Sequence, residues 1–250
     1  MVSYYKESSV LGLGCFDCKY DHTIHNELNK LTNICDKYLV QYYKIWFEDN
    51  KYYIPMELCS HSLRTVFDFK SRVFGRRSAE EFLTEFFISC QIFAELLKCV
   101  QHLHDLSPAV IHRNLKPENV LIGGKAGNLC LKLCDFGLSQ VFKSLSDNRN
   151  PEYLSPEETN GGTVDYKTDV YSAAKIGKNI FDIQVTPTLS GMYSSDYKLK
   201  NSVTELQKVL ISMQSLEPFD RPDCRQVLQE YTYWSINGYC LSSDGYKRFN

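Results

Sequence analysis

Polar chemistry in this sequence concentrates in one run, VIHRNLKPENVL at residues 110–121, and in the triplet Asp135-Phe136-Gly137, which begins thirteen residues beyond Ile122. The run carries His112, Arg113, Asn114, Lys116 and Asn119 within eight residues, so imidazole, guanidinium, ammonium and two carboxamides share one short segment. The oxygen of Asn114 can accept a hydrogen bond, but it has no charge and essentially no basicity. Where a reaction needs a general base, losing it costs about 10²- to 10⁴-fold in rate. A second cluster, Cys15, Cys18, His22 and His25, puts four metal-type ligands within eleven residues. Its close spacing leaves no room for the hairpin and helix that separate the ligand pairs of a zinc finger, so these side chains read as structural.

The elements that must position these groups follow from pattern. Residues 40–58, VQYYKIWFEDNKYYIPMEL, read as a hairpin whose aromatic-rich arms flank the polar turn Glu48-Asp49-Asn50-Lys51. Ahead of it, residues 24–34 place Leu28, Leu31 and Ile34 on one helical stripe. Residues 63–69 predict a short helix. Ser78 and Glu81 then form a capping-box pattern for a helix that aligns Phe82, Phe86, Phe93, Leu97 and Val100 toward the core. Short strands are predicted at 120–122 and 130–133 around a glycine-rich loop at 123–128, with further helices at 170–181, 201–213 and 223–231. Strands in the first fifth and helices beyond it imply an α+β architecture in two unequal lobes.

Composition narrows the class. A chain of 250 residues that is 43% hydrophobic and 23% charged suits one globular unit or two small lobes sharing a cleft. A net charge of -2 gives no sign of a nucleic-acid partner. The basic cluster Lys70, Arg72, Arg76 and Arg77 reads as a solvated helix end. The start MVSYYKESSV has no apolar signal core, and the most apolar stretch, residues 82–103, is broken by Glu85, Gln91, Glu95, Lys98 and Gln101. Neither secretion nor a membrane span is therefore expected. The ten cysteines read as small core hydrophobes of a cytoplasmic or otherwise intracellular chain.

The run at 110–121 resembles the catalytic loop of eukaryotic protein kinases at every signature position but one. Asp135-Phe136-Gly137, Tyr153-Leu154-Ser155-Pro156-Glu157, Asp169-Val170-Tyr171-Ser172 and Asp220-Arg221-Pro222 follow in that family's order and spacing, and the likeness runs from about residue 27 to residue 231. The segment WFEDNKYYIPMELC is similar to the stress-responsive kinases of translation initiation and to the Wee-type kinases. The resemblance implies a two-lobe kinase-like fold of serine/threonine type, with residues 1–58 as a shortened β-rich small lobe and 59–250 as a helical large lobe. It implies ATP and magnesium as cofactors, with Asp135 and Asn119 as metal ligands and Lys116 steadying the transferred phosphate. It casts Gly12 and Gly14 as part of a phosphate-covering loop, Glu27 as the partner of a phosphate-binding lysine, and Met56 and Leu121 as nucleotide contacts. His112, Phe136 and Leu31 would form an internal hydrophobic spine, and Arg221 would pair with Glu157. Arg113 would receive a phosphate on the activation segment, where Ser139, Ser144 and Ser146 are candidates.

The departures are as informative. Asn114 stands where the proton-accepting aspartate belongs. Asp17 replaces the last glycine of the glycine-rich pattern, and a carboxylate there would repel phosphates. Between Phe16 and Glu27 the only lysine is Lys19, and the ten residues there are too few for a strand end, a turn, a new strand and a helix start. The lysine role thus reads as vacant. Arg149-Asn150 replace the usual Gly-Thr. The sequence is therefore read as a pseudokinase with a regulatory or scaffolding role and a protein partner. The alternatives are a slow serine/threonine kinase acting on a protein substrate, and a decoy module that binds another kinase.

Overall fold

In the computed structural model the described residues are 10–17, 19–73, 79–125, 128–142, 149–182 and 197–236. Val10–Asp17 (β1) pairs antiparallel along Lys51–Glu57 (β3), and Trp46–Glu48 (β2) pairs on the other side of β3. The turn between β2 and β3 works because Asp49 and Asn50 accept left-handed backbone, at φ 49° and 58°. The expected hairpin is present, with a shorter first arm. Residues 40–45 run beside β3 through the Tyr42–Met56 bridge and the Glu57 N–H bond to the Gln41 carbonyl at 2.8 Å.

His22–Thr32 (α1) starts at Asp21, whose carboxylate accepts from the N–H groups of Thr23 at 2.7 Å and Ile24 at 3.3 Å. Its apolar stripe buries Leu28 and Leu31. Only residues 18–21 separate β1 from α1.

One reading of the front end is corrected here. Residues 11–17 do not form a phosphate-covering turn: Gly12 registers with Met56 and Gly14 with Ile54 inside β1. Pairing with β3 satisfies backbone groups that an open Gly-x-Gly turn would leave to solvent. Among the described residues no further strand lies between Phe16 and Glu27, as the residue count there predicts, and β1 is the strand directly ahead of the Glu27 helix. Its sequence, VLGLGCFD, contains no lysine.

Leu58, Cys59 and Ser60 link this sheet to a second one, formed by His61–Ser62 (β4), Val120–Lys125 (β5) and Asn128–Leu133 (β6). β5 and β6 pair from Val120–Leu133 to Lys125–Asn128, so the strands run through the predicted glycine loop. A Cβ on Gly123 would lie 2.8 Å from Lys132 Cδ, which accounts for a glycine there. The rest is helical: Leu63–Val73 (α2), Ala79–Asp105 (α3), Leu138–Val141 (α4), Pro156–Thr159 (α5), Lys167–Phe181 (α6), Tyr197–Ser212 (α7), Cys224–Gln229 (α8) and Tyr231–Trp234 (α9). The helix predicted at 223–231 is thus two short ones, and α7 begins earlier than its apolar spacing suggests. Ser78, the proposed cap of α3, lies outside the described residues.

α3 is the axis of the large lobe. Phe82, Phe86, Phe93, Leu97 and Val100 are all buried, as their spacing predicts. Phe93 meets Phe181 and Trp234 edge to face, at 5.8 and 5.6 Å between centroids. Gly177 lets α6 approach this cluster, because a Cβ there would lie 2.7 Å from Phe93 Cε2 and 2.8 Å from Leu210 Cδ2. Gly177→Ala gains helix propensity of up to about 1 kcal/mol, but overpacking a rigid core costs about 1–3 kcal/mol. The net expectation is a loss of about 1–2 kcal/mol, read as a lower urea midpoint with an unchanged slope.

Candidate functional site

The catalytic-loop run hangs from one carboxylate. Asp169, in the first turn of α6, is fully buried. It accepts from the backbone N–H of His112 at 2.8 Å and of Arg113 at 2.9 Å, and its Oδ2 lies 2.9 Å from His104 Nε2. Burial works to raise its pKa, but the bonds to His104 and to the loop backbone outweigh that and hold it below the ordinary aspartate value. These bonds fix a strained turn, since Arg113 sits at φ 59°, a conformation that costs on the order of 1–3 kcal/mol for a residue with a side chain.

From this anchor the polar groups line up. Asn119, buried in the 3-10 turn Pro117–Asn119, donates from Nδ2 to the Asn114 carbonyl at 2.8 Å. That bond orients the amide and leaves Oδ1 as an acceptor. The Asn119 carbonyl accepts from Cys134 N–H at 3.0 Å, which ties the turn to the residue before Asp135. Asp135 is also left-handed, at φ 59°. Burial pushes its carboxyl pKa up, while His112 and Lys116 pull it partly back. An amide oxygen and one carboxylate are a hard donor pair. Magnesium typically takes one or two protein oxygens and completes its shell with water and substrate phosphates. Among the described residues no group of three His, Cys, Asp or Glu side chains could hold a metal ion. The pair therefore fits a cation shared with a nucleotide and does not fit a self-sufficient metal cage.

Leu31 and Phe136, two of the three expected spine residues, lie in one hydrophobic core that Tyr42 shares. Phe136 and His112 are buried, and Leu31 lies against Gly137, where a Cβ would meet Leu31 Cδ2 at 3.3 Å. Tyr42, which in sequence is only one of the hairpin aromatics, packs at a tilt against Phe136 with centroids 5.1 Å apart. Its signal is faint in sequence, because nothing local separates it from its aromatic neighbours. Met56 bridges to Tyr42 and faces Gly12 across the sheet, and Leu121 pairs with Lys132 on β5.

Among the described residues, the partner of Glu27 is a neighbour on its own helix. Glu27 is exposed and pairs with Lys30 one turn along α1 at 2.5 Å, a surface contact worth about 0–1 kcal/mol. Lys19 is exposed on the β1–α1 connection. Lys132 is engaged by Glu57 at 2.7 Å and by the Leu39 carbonyl at 3.3 Å.

At the Arg149-Asn150 departure, Arg149 donates to the Arg113 carbonyl at 3.1 Å and pairs with Glu158. Glu158 in turn accepts from Ser155 N–H at 3.1 Å and from Ser155 Oγ at 2.9 Å. Arg149, Asn150 and Tyr153 line a small pocket together with Arg113, Asn114 and Lys116. The expected pair of Glu157 with Arg221 is present and bidentate, at 2.7 Å for both bonds, and buried Arg221 also reaches the carbonyls of Ser215, Lys167 and Leu216. Ser144, Ser146 and Cys18, as well as the side chains of Ser139 and Cys15, lie outside the described residues. His22 bonds Asn26, and His25 stacks on Tyr52.

Residues 15–233 match the family model for the protein kinase domain, and the chain belongs to that family. It is 30% identical over 184 residues to the mitosis inhibitor protein kinase SWE1 of Saccharomyces cerevisiae, covering 70% of this chain and 21% of that protein. It is 28% identical over 207 residues to the membrane-associated tyrosine- and threonine-specific cdc2-inhibitory kinase wee-1.3 of Caenorhabditis elegans, covering 77% and 28%. The Wee1-like protein kinase of Arabidopsis thaliana is 26% identical over 211 residues, covering 80% and 38%. The chain thus spans between about a fifth and two fifths of the length of these relatives. Among the described residues no helix is long and apolar enough to cross a membrane.

Asp169→Asn keeps the shape but replaces one charged acceptor with an amide that cannot serve all three donors. Breaking a buried ionic network this way costs about 3–5 kcal/mol. Because the folded pKa of Asp169 is depressed, its contribution is present above the unfolded value of about 3.9 and is lost as pH falls through the folded value. Urea unfolding of the variant should therefore show a lower midpoint at pH 7, and the gap to wild type should close in acid.

Proposed function

We propose that this kinase-fold domain binds a magnesium–nucleotide weakly through its large lobe, transfers phosphate poorly or not at all, and acts as an intracellular regulatory or scaffolding module toward a protein partner. The observation that carries this reading is β1. The strand immediately ahead of the Glu27 helix contains no lysine, and Glu27 is paired instead with Lys30 on the surface. A nucleotide held from only one side is poorly oriented, and orientation is a large part of phosphoryl-transfer catalysis.

In this reading Asp135 and Asn119 hold the cation, which when bound neutralises charge between the phosphates. Lys116 faces the phosphate end, and Asn114 accepts a hydrogen bond from an incoming hydroxyl without taking its proton. The contact of Arg149 with Glu158 and the Arg113 carbonyl crowds the path by which a peptide would reach Asn114. A slow serine/threonine kinase is the second reading. It is favoured by the order of the large-lobe apparatus, above all the Asn119 amide oriented by its bond to Asn114.

Thermal unfolding with and without magnesium–ATP, run beside a labelled-phosphate transfer assay, tests the proposal. At millimolar magnesium–ATP the melting temperature should rise by about 2 °C, corresponding to weak occupancy. Asp135→Asn should abolish that rise while leaving the unliganded melting temperature equal or higher, since it removes a buried charge. Transfer should stay at background. Transfer by wild type that Asp135→Ala eliminates would favour the slow-kinase reading instead.

A further inference from the structure

The hydroxyl of Tyr42 has no structural explanation inside the fold. The residue is 1% exposed, its backbone is held by the bridge to Met56 and by Gln41 Nε2 at 2.7 Å, and its ring packs at a tilt against Phe136. All of that would be served equally by phenylalanine. Yet the ring carries a hydroxyl with no hydrogen-bond partner among the described residues. Buried polar groups are almost always bonded, and an exception calls for a reason.

The surroundings of the hydroxyl indicate that reason. Burial raises its pKa most, and the charges of Asp135 and Cys134 raise it further. The Asp135 backbone N–H acts weakly in the opposite direction without reaching full hydrogen-bond geometry. The phenol thus lies beside the Asp135 backbone, next to the Phe136 ring it packs on. A phenol O–H donates well to a carboxylate.

We propose that Tyr42 is a positioning residue for the cation site. Its hydroxyl donates to the Asp135 carboxylate when magnesium and nucleotide are bound, fixing which oxygen is presented to the cation. This rests on the reading of Asp135 and Asn119 as the cation ligands. It makes Tyr42 a donor beside Asp135, and it gives the packed spine a direct link to cation binding.

Tyr42→Phe separates the possibilities, because it preserves the ring and deletes only the hydroxyl. Calorimetric titration should show magnesium–ATP affinity falling about tenfold, the size of one hydrogen bond to a charged group, while binding of ATP in excess EDTA is unchanged. The unliganded melting temperature should hold or rise, since an unpaired buried hydroxyl is removed. Combined with Asp135→Asn, the substitution should cause no further loss. Magnesium–ATP affinity equal to wild type would overturn the role of Tyr42 and leave the Asp135 site standing. A fall in the unliganded melting temperature would show a structural partner for the hydroxyl and overturn it as well. Absence of any magnesium-dependent binding by wild type would remove the site reading and the role of Tyr42 together.

Discussion

The carboxylate of Asp169 is the constraint on which the chemistry of this domain depends. Two backbone N–H groups and one imidazole converge on this fully buried carboxylate. Without that acceptor, the left-handed turn at Arg113 would have nothing to offset its strain, and the loop would relax away from the cleft. With it, the path from His112 to Asn119 is set, Asn119 is oriented by Asn114, and the Asn119 carbonyl fixes the approach to Asp135. Each step is a hydrogen bond of 2.8–3.0 Å within the large lobe.

That dependence explains how the two halves of the site can diverge. The large-lobe half is held by contacts that the fold itself requires, so losing them would cost stability as well as chemistry. In the proposed reading, the small-lobe half would depend on single side chains, and such side chains can be lost without breaking the fold. β1 keeps its ladder with β3 whether or not it carries a lysine, and Glu27 finds a surface partner in Lys30. The spine is intermediate: Leu31, Phe136 and Tyr42 still pack, because packing serves the core.

Much of this was legible in the sequence because the relevant geometry is local. A catalytic loop, its triplet and the Glu157–Arg221 pair announce themselves by residue type and spacing, and the turn at Asp49 and Asn50 by its tolerance of left-handed backbone. Residues 10–17 were not legible. Glycine suits a turn and a strand alike, and only pairing with β3, some forty residues on, decides between them. Tyr42 was hidden for the same reason, since its meaning comes from Phe136, 94 residues away. The contact of Arg149 with Glu158 likewise needs the fold, although the departure from Gly-Thr at that place was visible.

In the proposed reading, the unclamped nucleotide limits this domain more than the missing base at position 114. Labelled-phosphate transfer by Asn114→Asp, compared with wild type at saturating magnesium–ATP, tests that ranking directly. The account predicts that both proteins stay near background, with less than about a tenfold gain from the restored carboxylate. A gain of about 10² or more, the range expected for restoring a general base to an otherwise competent site, would contradict it.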